Sequence, residues 1–417
     1  MTDPAPLSRR MVDDLTSSGV LDPPWREAFL AVPRHAFIPD LIWRQQRREL
    51  VPFDRADDPL RWLELTYAPT QVLITQVDDG NPVGPGLIGD RISSSASQPN
   101  VVALMLAALA AEPGMTVCEI GTGTGYNAAL LAHRLGAQNV ITIEVDAPLA
   151  ARAGVALADV GYGGVTVVTG DGAHGYPPRA PYDRILSTAA VGQVPSAWVE
   201  QTRPGGRVVT PWGTAYLNGA LLSLTVGEDN TATGRLVDNV AFMWLRDQRL
   251  PLTWVRDCVY DEDKALVSYT DIQPSKVTDD YHAALAIGLQ VPECEYRFCR
   301  AQDDSGEYTV WFLDPSSRSW ASIDYAPGAD TYEVNQLGPR HLWDEVEAAY
   351  TWWVQANSPT SDQWRFTLTP TGQHVDLTGG GGGPANEPER TPSRFGQVRV
   401  GVRNGVAGVV SVRSGVS

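Results

Sequence analysis

The stretch Val117-Cys118-Glu119-Ile120-Gly121-Thr122-Gly123-Thr124-Gly125-Tyr126 constrains this chain more than any other. A short apolar run stops at glycines spaced two apart. A segment with Ala128, Leu131 and Leu135 on one helical face follows at once. Strand, glycine turn and helix in that order predict the first βα unit of an open α/β sheet. In such sheets ligands bind beyond the carboxyl ends of the strands. Glycine there lets backbone approach a ligand where a Cβ would collide.

The same alternation continues downstream. Strands are expected at 140–144, 165–169, 182–187 and 207–210, with helices at 150–160 and 194–201 between them. That order implies a parallel sheet with helices on both faces. Upstream, residues 9–38 read as two short helices divided by Gly19 and Pro23-Pro24. Pro33 and Pro39 bound an extended link. Residues 43–78 mix loop with a strand-like run at 72–75, and a helix is expected from Val101.

After Trp212 the alternation stops. Strands are expected at 220–226 and, as a late one, at 237–246. From Pro251 the composition turns Trp- and Tyr-rich. Hairpins are expected at 308–325 and 364–377, and a helix after Gly338-Pro339 carries Leu342, Val346, Ala349 and Trp353 on one face. The Trp side chains of this region read as core, although Trp352 lies off that face. Gly379 to Gly383 is an unbroken glycine run, and 379–417 reads as a disordered tail; the valines at 398, 400 and 402 are its one strand-like feature. Four units result: an N-terminal helical, substrate-capping segment (1–75), a cofactor-binding α/β domain (76–250), a C-terminal α+β domain (251–378) and the tail.

A length of 417 residues with 43% apolar and 19% charged residues suits this division. The net charge of −17 argues against a nucleic-acid partner, which calls for a basic stripe. No apolar run reaches membrane-spanning length and the first residues lack a signal-peptide pattern, so the expectation is a cytoplasmic chain without a membrane partner. Cys118, Cys258, Cys294 and Cys299 fit no zinc or disulfide spacing and read as reduced thiols. The histidines do not cluster, so no metal is expected.

The ligand class follows from three consecutive strand ends. Glu144 ends the second strand, placed to accept from both ribose hydroxyls of an adenosine. Gly170-Asp171-Gly172 ends the third, where Asp171 meets an adenine amino group. The glycine pattern is E-x-G-x-G-x-G, with Tyr126 where a dinucleotide fold needs its third glycine. S-adenosylmethionine has no phosphate, so it does not require that anion cradle. Glu119, before the turn, suits its amino group or an ordering role. The expected cofactor site is Glu119, Gly121, Thr122, Gly123, Gly125, Tyr126, Asn127, Glu144, Val145, Asp171 and Gly172.

With those residues in view, the chain resembles the protein-L-isoaspartate O-methyltransferases over roughly residues 25–212. The resemblance rests on Ala28-Phe29-Leu30-Ala31-Val32-Pro33-Arg34-His35-Ala36-Phe37-Ile38-Pro39, on Glu119 to Ala129, on Gly170-Asp171-Gly172 with Gly175-Tyr176-Pro177, on Ala180-Pro181-Tyr182-Asp183 and on Pro204-Gly205-Gly206-Arg207. It implies a Rossmann-like S-adenosylmethionine-dependent fold and carries the family's catalytic serine onto Ser97 and its ribose-binding acid onto Glu144. Substrate contacts are implied at Ser95, Pro99 and Asn100. Asn100 stands where the family has a ring side chain, and Ser93-Ser94-Ser95-Ala96 replaces its usual approach. Both Ser97 and Asn100 are also good helix caps. The added C-terminal domain is similar to that of longer relatives that accompany ribosomally made, modified peptides of the lanthipeptide and graspetide kind.

The chemistry implied is esterification of a peptide side-chain carboxylate. A carboxylate with pKa about 3.9–4.3 is ionised at neutral pH and needs no general base. Orientation is then the protein's main contribution, worth about 7–11 kcal/mol. The neighbouring backbone nitrogen can afterwards expel methanol and close an aspartimide. The expected function is therefore an aspartyl O-methyltransferase acting on a modified precursor peptide. General isoaspartyl repair and a non-catalytic peptide-binding module are the competing readings.

Overall fold

The structure is a computed structural model that describes residues 3–46, 49–81 and 85–378, together with the backbone of two strands at 397–403 and 406–413. The N-terminal part runs α1 (Ala5–Ser17), α2 (Arg26–Ala31), β1 (Leu41–Gln46), β2 (Glu49–Asp54), α3 (Pro59–Thr66), β3 (Leu73–Val77) and β4 (Ile92–Ala96). The central part runs α4 (Pro99–Leu109), β5 (Val117–Ile120), α5 (Tyr126–Leu135), β6 (Val140–Glu144), α6 (Ala147–Asp159), β7 (Thr166–Thr169), β8 (Tyr182–Ser187), α7 (Ser196–Glu200), β9 (Thr202–Gly213), β10 (Asn218–Val226) and β11 (Ala232–Asp238). The rest runs α8 (Val255–Cys258), β12 (Leu266–Thr270), α9 (Pro274–Thr278), α10 (Tyr281–Gln290), β13 (Glu295–Arg300), β14 (Tyr308–Asp314), β15 (Ser319–Tyr325), β16 (Tyr332–Leu337), α11 (Leu342–Gln355), β17 (Trp364–Thr369), β18 (Gly372–Leu377), β19 (Gln397–Arg403) and β20 (Val406–Arg413).

The central sheet has the order β19-β20-β18-β17-β11-β10-β9-β8-β5-β6-β7. Pairing is parallel from β7 to β9, where helices supply the crossovers, and antiparallel beyond β9, where turns suffice. Alternate side chains feed two cores. Val117, Leu186 and Val209 face α1, α2, α4 and α5, while Cys118, Ile185 and Val208 face the side of Trp198 and Trp212. This is the Rossmann-like α/β fold expected from the alternation.

A small antiparallel sheet, β2-β1-β3-β4, closes the N-terminal side. β1 and β2 pair antiparallel where, from Trp43 onward, loop was expected, and α3 follows. Charged side chains and Pro52 mask the strand alternation there. A five-stranded antiparallel sheet, β12-β16-β15-β14-β13, packs Val310, Phe312, Ile323 and Val334 against α10 and α11. Trp320 and Trp343 are fully buried, and Trp352 is half-buried beside Trp364.

Three expectations about elements need correction. The late strand comes earlier, at β11, and residues 239–249 leave the sheet. The turn at 227–231 sets β11 opposite β10, and by Asp238 the ladder has run its length. The hairpin β17–β18, expected with the C-terminal domain, instead adds to the central sheet beside β11. Finally, the expected disordered tail contains β19 and β20, whose backbone pairs onto the open edge of β18; that edge offers unpaired N–H and C=O groups, and the alternating valines of 397–403 suit a strand. The remainder of that expectation, 379–396, 404–405 and 414–417, lies outside the described residues. No helix among the described residues is long and apolar enough to cross a membrane.

Candidate active site

The turn after β5 depends on three glycines with positive φ, Gly121 (+91°), Gly123 (+54°) and Gly125 (+90°). A Cβ on Gly121 would lie 2.6 Å from Thr188 Oγ1, the hydroxyl that donates to the Gly121 carbonyl. The backbone therefore comes as close to the strand ends as chain permits.

Glu144, at the end of β6, is buried. Its carboxylate accepts from Gly123 N at 2.9 Å and Asp146 N at 3.1 Å. A carboxylate has about four acceptor positions. Two remain for a ligand. Asp171 Oδ1 accepts from Ala173 N at 2.9 Å, and Trp198 Nε1 donates to the Gly172 carbonyl at 2.8 Å. Val145 is 40% exposed, so its side chain can cover a flat ligand.

These groups wall one cleft with an empty volume of about 1100 Å³, open solvent included. Of the expected cofactor residues, Gly121, Thr122, Gly123, Tyr126, Asn127, Glu144, Val145, Asp171 and Gly172 line it. Ser95 and Ser97 line the other side, delivered by β4 and the link to α4. Glu119, Gly125, Pro99 and Asn100 are not on the wall.

Glu119 lies behind the turn, fully buried. It accepts from Asn127 Nδ2 and from Thr142 Oγ1, both at 2.6 Å. Thr142 spends its proton on Glu119, so Thr122 Oγ1 must donate to Thr142 Oγ1, 2.7 Å away. The ordering role is thus the one the geometry supports. Burial pushes the Glu119 carboxyl up to about 7, with the nearby Glu144 charge adding to the rise against the two hydrogen bonds. The folded state then holds a proton that the unfolded chain releases near pH 4.5. Stability attributable to Glu119 is present below that pH and is lost as pH rises toward 7. Thermal melts from pH 5 to 8 should show this slope in the wild type and lose it in Glu119→Gln; parallel slopes would refute the assignment.

Ser97 does not cap α4. Gln98 holds the cap position, with no side-chain capping bond, and Asn100 Oδ1 accepts from Val101 N at 2.8 Å. Among the described residues Ser97 Oγ has no hydrogen-bond partner, whereas its carbonyl accepts from Arg34 Nη2 at 2.8 Å.

Sequence reasoning missed the remaining wall. Phe242, Met243, Trp244 and Leu245 line the cleft from the segment expected as a strand. Arg246 and Arg249 follow, and both pair with Asp79, at 3.3 and 3.0 Å, tying the 239–249 segment to the turn between β3 and β4. Arg34 also lines the cleft, although it was read only as part of a connecting segment. The signal that could have found it is an arginine inside the otherwise apolar run 28–38.

The pattern of the family Protein-L-isoaspartate(D-aspartate) O-methyltransferase matches residues 84–250. Protein-L-isoaspartate O-methyltransferase 2 of Polaromonas sp. is 42% identical over 168 residues, covering 40% of this chain and 75% of the relative. Protein-L-isoaspartate O-methyltransferase of Methanoregula boonei is 40% identical over 220 residues, covering 51% of this chain and 82% of the relative. The chain belongs to the protein-L-isoaspartate O-methyltransferase family. A solved protein-L-isoaspartate O-methyltransferase overlays with a TM-score of 0.52 at 21% identity, across 89% of this chain and 99% of that one, which supports the shared fold.

As a member of the protein-L-isoaspartate O-methyltransferases, the chain is an S-adenosylmethionine-dependent carboxyl O-methyltransferase. Its residues fit that cofactor: the cleft has backbone glycine where the ligand must approach, a buried carboxylate with acceptor positions to spare, and no phosphate cradle.

Proposed function

We propose that this chain methylates the free carboxylate of an isoaspartyl residue in a peptide or protein. The observation that carries the reading is Ser97 Oγ, an uncommitted hydroxyl on the same cleft as Glu144 and the glycine turn. In this reading Glu144 accepts from the ribose hydroxyls, Asp171 from the adenine amino group, and Val145 and Gly172 flank the ring. Ser97 Oγ donates to the substrate carboxylate and fixes its rotamer, with Ser95 beside it. Pro99 starts α4 and so sets the direction of Ser97, and Asn100 reaches the substrate only if its cap to Val101 opens.

Glu144, Asp171 and the glycine turn would hold S-adenosylmethionine, which would supply the methyl group for transfer to the carboxylate oxygen and leave as neutral S-adenosylhomocysteine. No proton moves, so no base is required of the chain. The residues supply alignment and exclude water, with the Trp244 segment covering the cleft. The ester can then close to a succinimide through the neighbouring backbone nitrogen.

One observation favours a more specialised substrate. The five-stranded sheet and its helices lie between β11 and β17, with Leu266, Val267 and Tyr269 exposed on its edge strand β12. A precursor peptide dedicated to this chain, modified by other enzymes and closed to a lasting aspartimide, would use residues 251–363 for recognition by strand addition. Such a chain would work in the cytoplasm.

The test is transfer of labelled methyl from S-adenosylmethionine to an isoaspartyl peptide and, separately, to a constrained aspartyl peptide. Transfer to the first supports repair-type specificity, and transfer to the second alone supports the dedicated reading. Transfer to neither removes the carboxylate assignment. In the active pairing Ser97→Ala should lower kcat about tenfold, as expected for loss of one hydrogen bond to a charged group, with S-adenosylhomocysteine affinity unchanged.

A further inference from the structure

Arg34 is buried and, among the described residues, has no acidic partner. Nε donates to the Thr66 carbonyl at 2.8 Å, and Nη2 reaches the carbonyls of Ser97 at 2.8 Å and Ala96 at 3.5 Å. Its guanidinium lies 4.9 Å from the ring centre of Tyr126. Nη1 has no partner, and neither does Tyr126 Oη. Both residues line the cleft.

A buried donor without an acceptor is costly, and a buried charge more so. The other ionisable groups near Arg34 are Tyr126 and Tyr67, and Tyr67 is bonded to His35 at 2.6 Å; none is a carboxylate. Burial pushes the Tyr126 phenol up, so it keeps its proton as a donor. Ser97 Oγ, Arg34 Nη1 and Tyr126 Oη are thus three donors left unused among the described residues, all on side chains of cleft-lining residues, and Arg34 links the other two through the Ser97 carbonyl and the Tyr126 ring. A bare donor set of this kind matches a ligand made only of acceptors.

We propose that Arg34 Nη1 and Tyr126 Oη, with Ser97 Oγ, form the anchor for the reacting carboxylate of the substrate, and that they select a carboxylate over its neutral amide. The inference rests on the carboxylate reading above and deepens it. It has a consequence for turnover. The ester product is neutral and has fewer strong acceptor positions, so methylation itself removes the attraction that held the substrate.

Arg34 also braces the Ser97 carbonyl, so Arg34→Lys alone could act through the fold. Tyr126→Phe removes only an unpartnered hydroxyl. Calorimetry on the S-adenosylhomocysteine complex should compare an isoaspartyl peptide with the same peptide bearing the neutral amide. In the wild type the carboxylate peptide binds better. Tyr126→Phe should cut that preference about tenfold, and Arg34→Lys by at least as much. The melting temperature of Tyr126→Phe should be unchanged or higher, and both peptides are compared at saturating S-adenosylhomocysteine. In turnover the loss should fall on KM more than kcat. An undiminished preference in Tyr126→Phe overturns the anchor while leaving the proposed function standing. A wild type that binds cofactor but neither peptide overturns the proposed function and the anchor together.

Discussion

Replacing Glu144 by alanine should weaken S-adenosylhomocysteine binding by at least about 100-fold in calorimetry. Two hydrogen bonds from ribose hydroxyls to a buried carboxylate are together worth about 3–6 kcal/mol, and each 1.4 kcal/mol is about tenfold. The variant also leaves Gly123 N–H and Asp146 N–H without their acceptor. Both losses act on the cofactor side of the cleft. Glu144→Gln keeps an acceptor for one amide but turns a donor toward the other, so it should fall between the two. An alanine variant within threefold of wild type would show that the ribose is held elsewhere.

The second large effect is on stability and comes from Gly234 in β11. A Cβ there would lie 1.9 Å from the Ser223 carbonyl oxygen and 2.8 Å from Leu224 Cα, both backbone atoms of β10. Side chains can rotate away from such a clash, but a strand paired on both sides cannot. β11 is held by β10 on one side and by β17 on the other. Gly234→Ala should therefore cost about 3 kcal/mol, the upper part of the overpacking range. For a cooperative unit of 417 residues that corresponds to a fall in Tm of roughly 3–4 °C. Differential scanning calorimetry measures it directly, and a Tm within 2 °C of wild type would mean that β10 and β11 can separate locally without loss.

The sequence was most informative where local chemistry and local structure coincide. Gly121 and Gly123 need a left-handed turn wherever the chain goes, and Glu144 and Asp171 follow their strands directly. All four line the cleft together. Glu119 was legible as important but not as hidden, because burial depends on Thr142 in the neighbouring strand. Arg34 was illegible for a related reason. Its partners, Thr66, Ala96 and Ser97, lie far along the chain, and a run of apolar neighbours says only that it is near a core. Strand order is a long-range property too. The hairpin 364–377 was readable from its turn, yet nothing in those residues says that β11 is its neighbour. The segment 239–249 failed differently: its apolar residues satisfied a strand pattern, but they line a ligand cleft instead.

The pairing of β11 with β17 has one more consequence. Arg235 lies opposite Arg365, so the chain leaves and re-enters the central sheet at nearly the same place. Between those points it makes an excursion with its own sheet, yet α10 and α11 also pack back onto the central sheet through Ala283, Leu285, Ala286, Leu289 and Trp353. Ends that already sit side by side can be joined by a short connection at little entropic cost. The residues after the cleft-lining Arg249 and before Trp364 are nevertheless joined to the catalytic half by a shared core and not only by two strand ends. A foreign unit spliced between β11 and β17 would have to cover that apolar face as well as bridge the two strands, or leave a hydrophobic patch open to water.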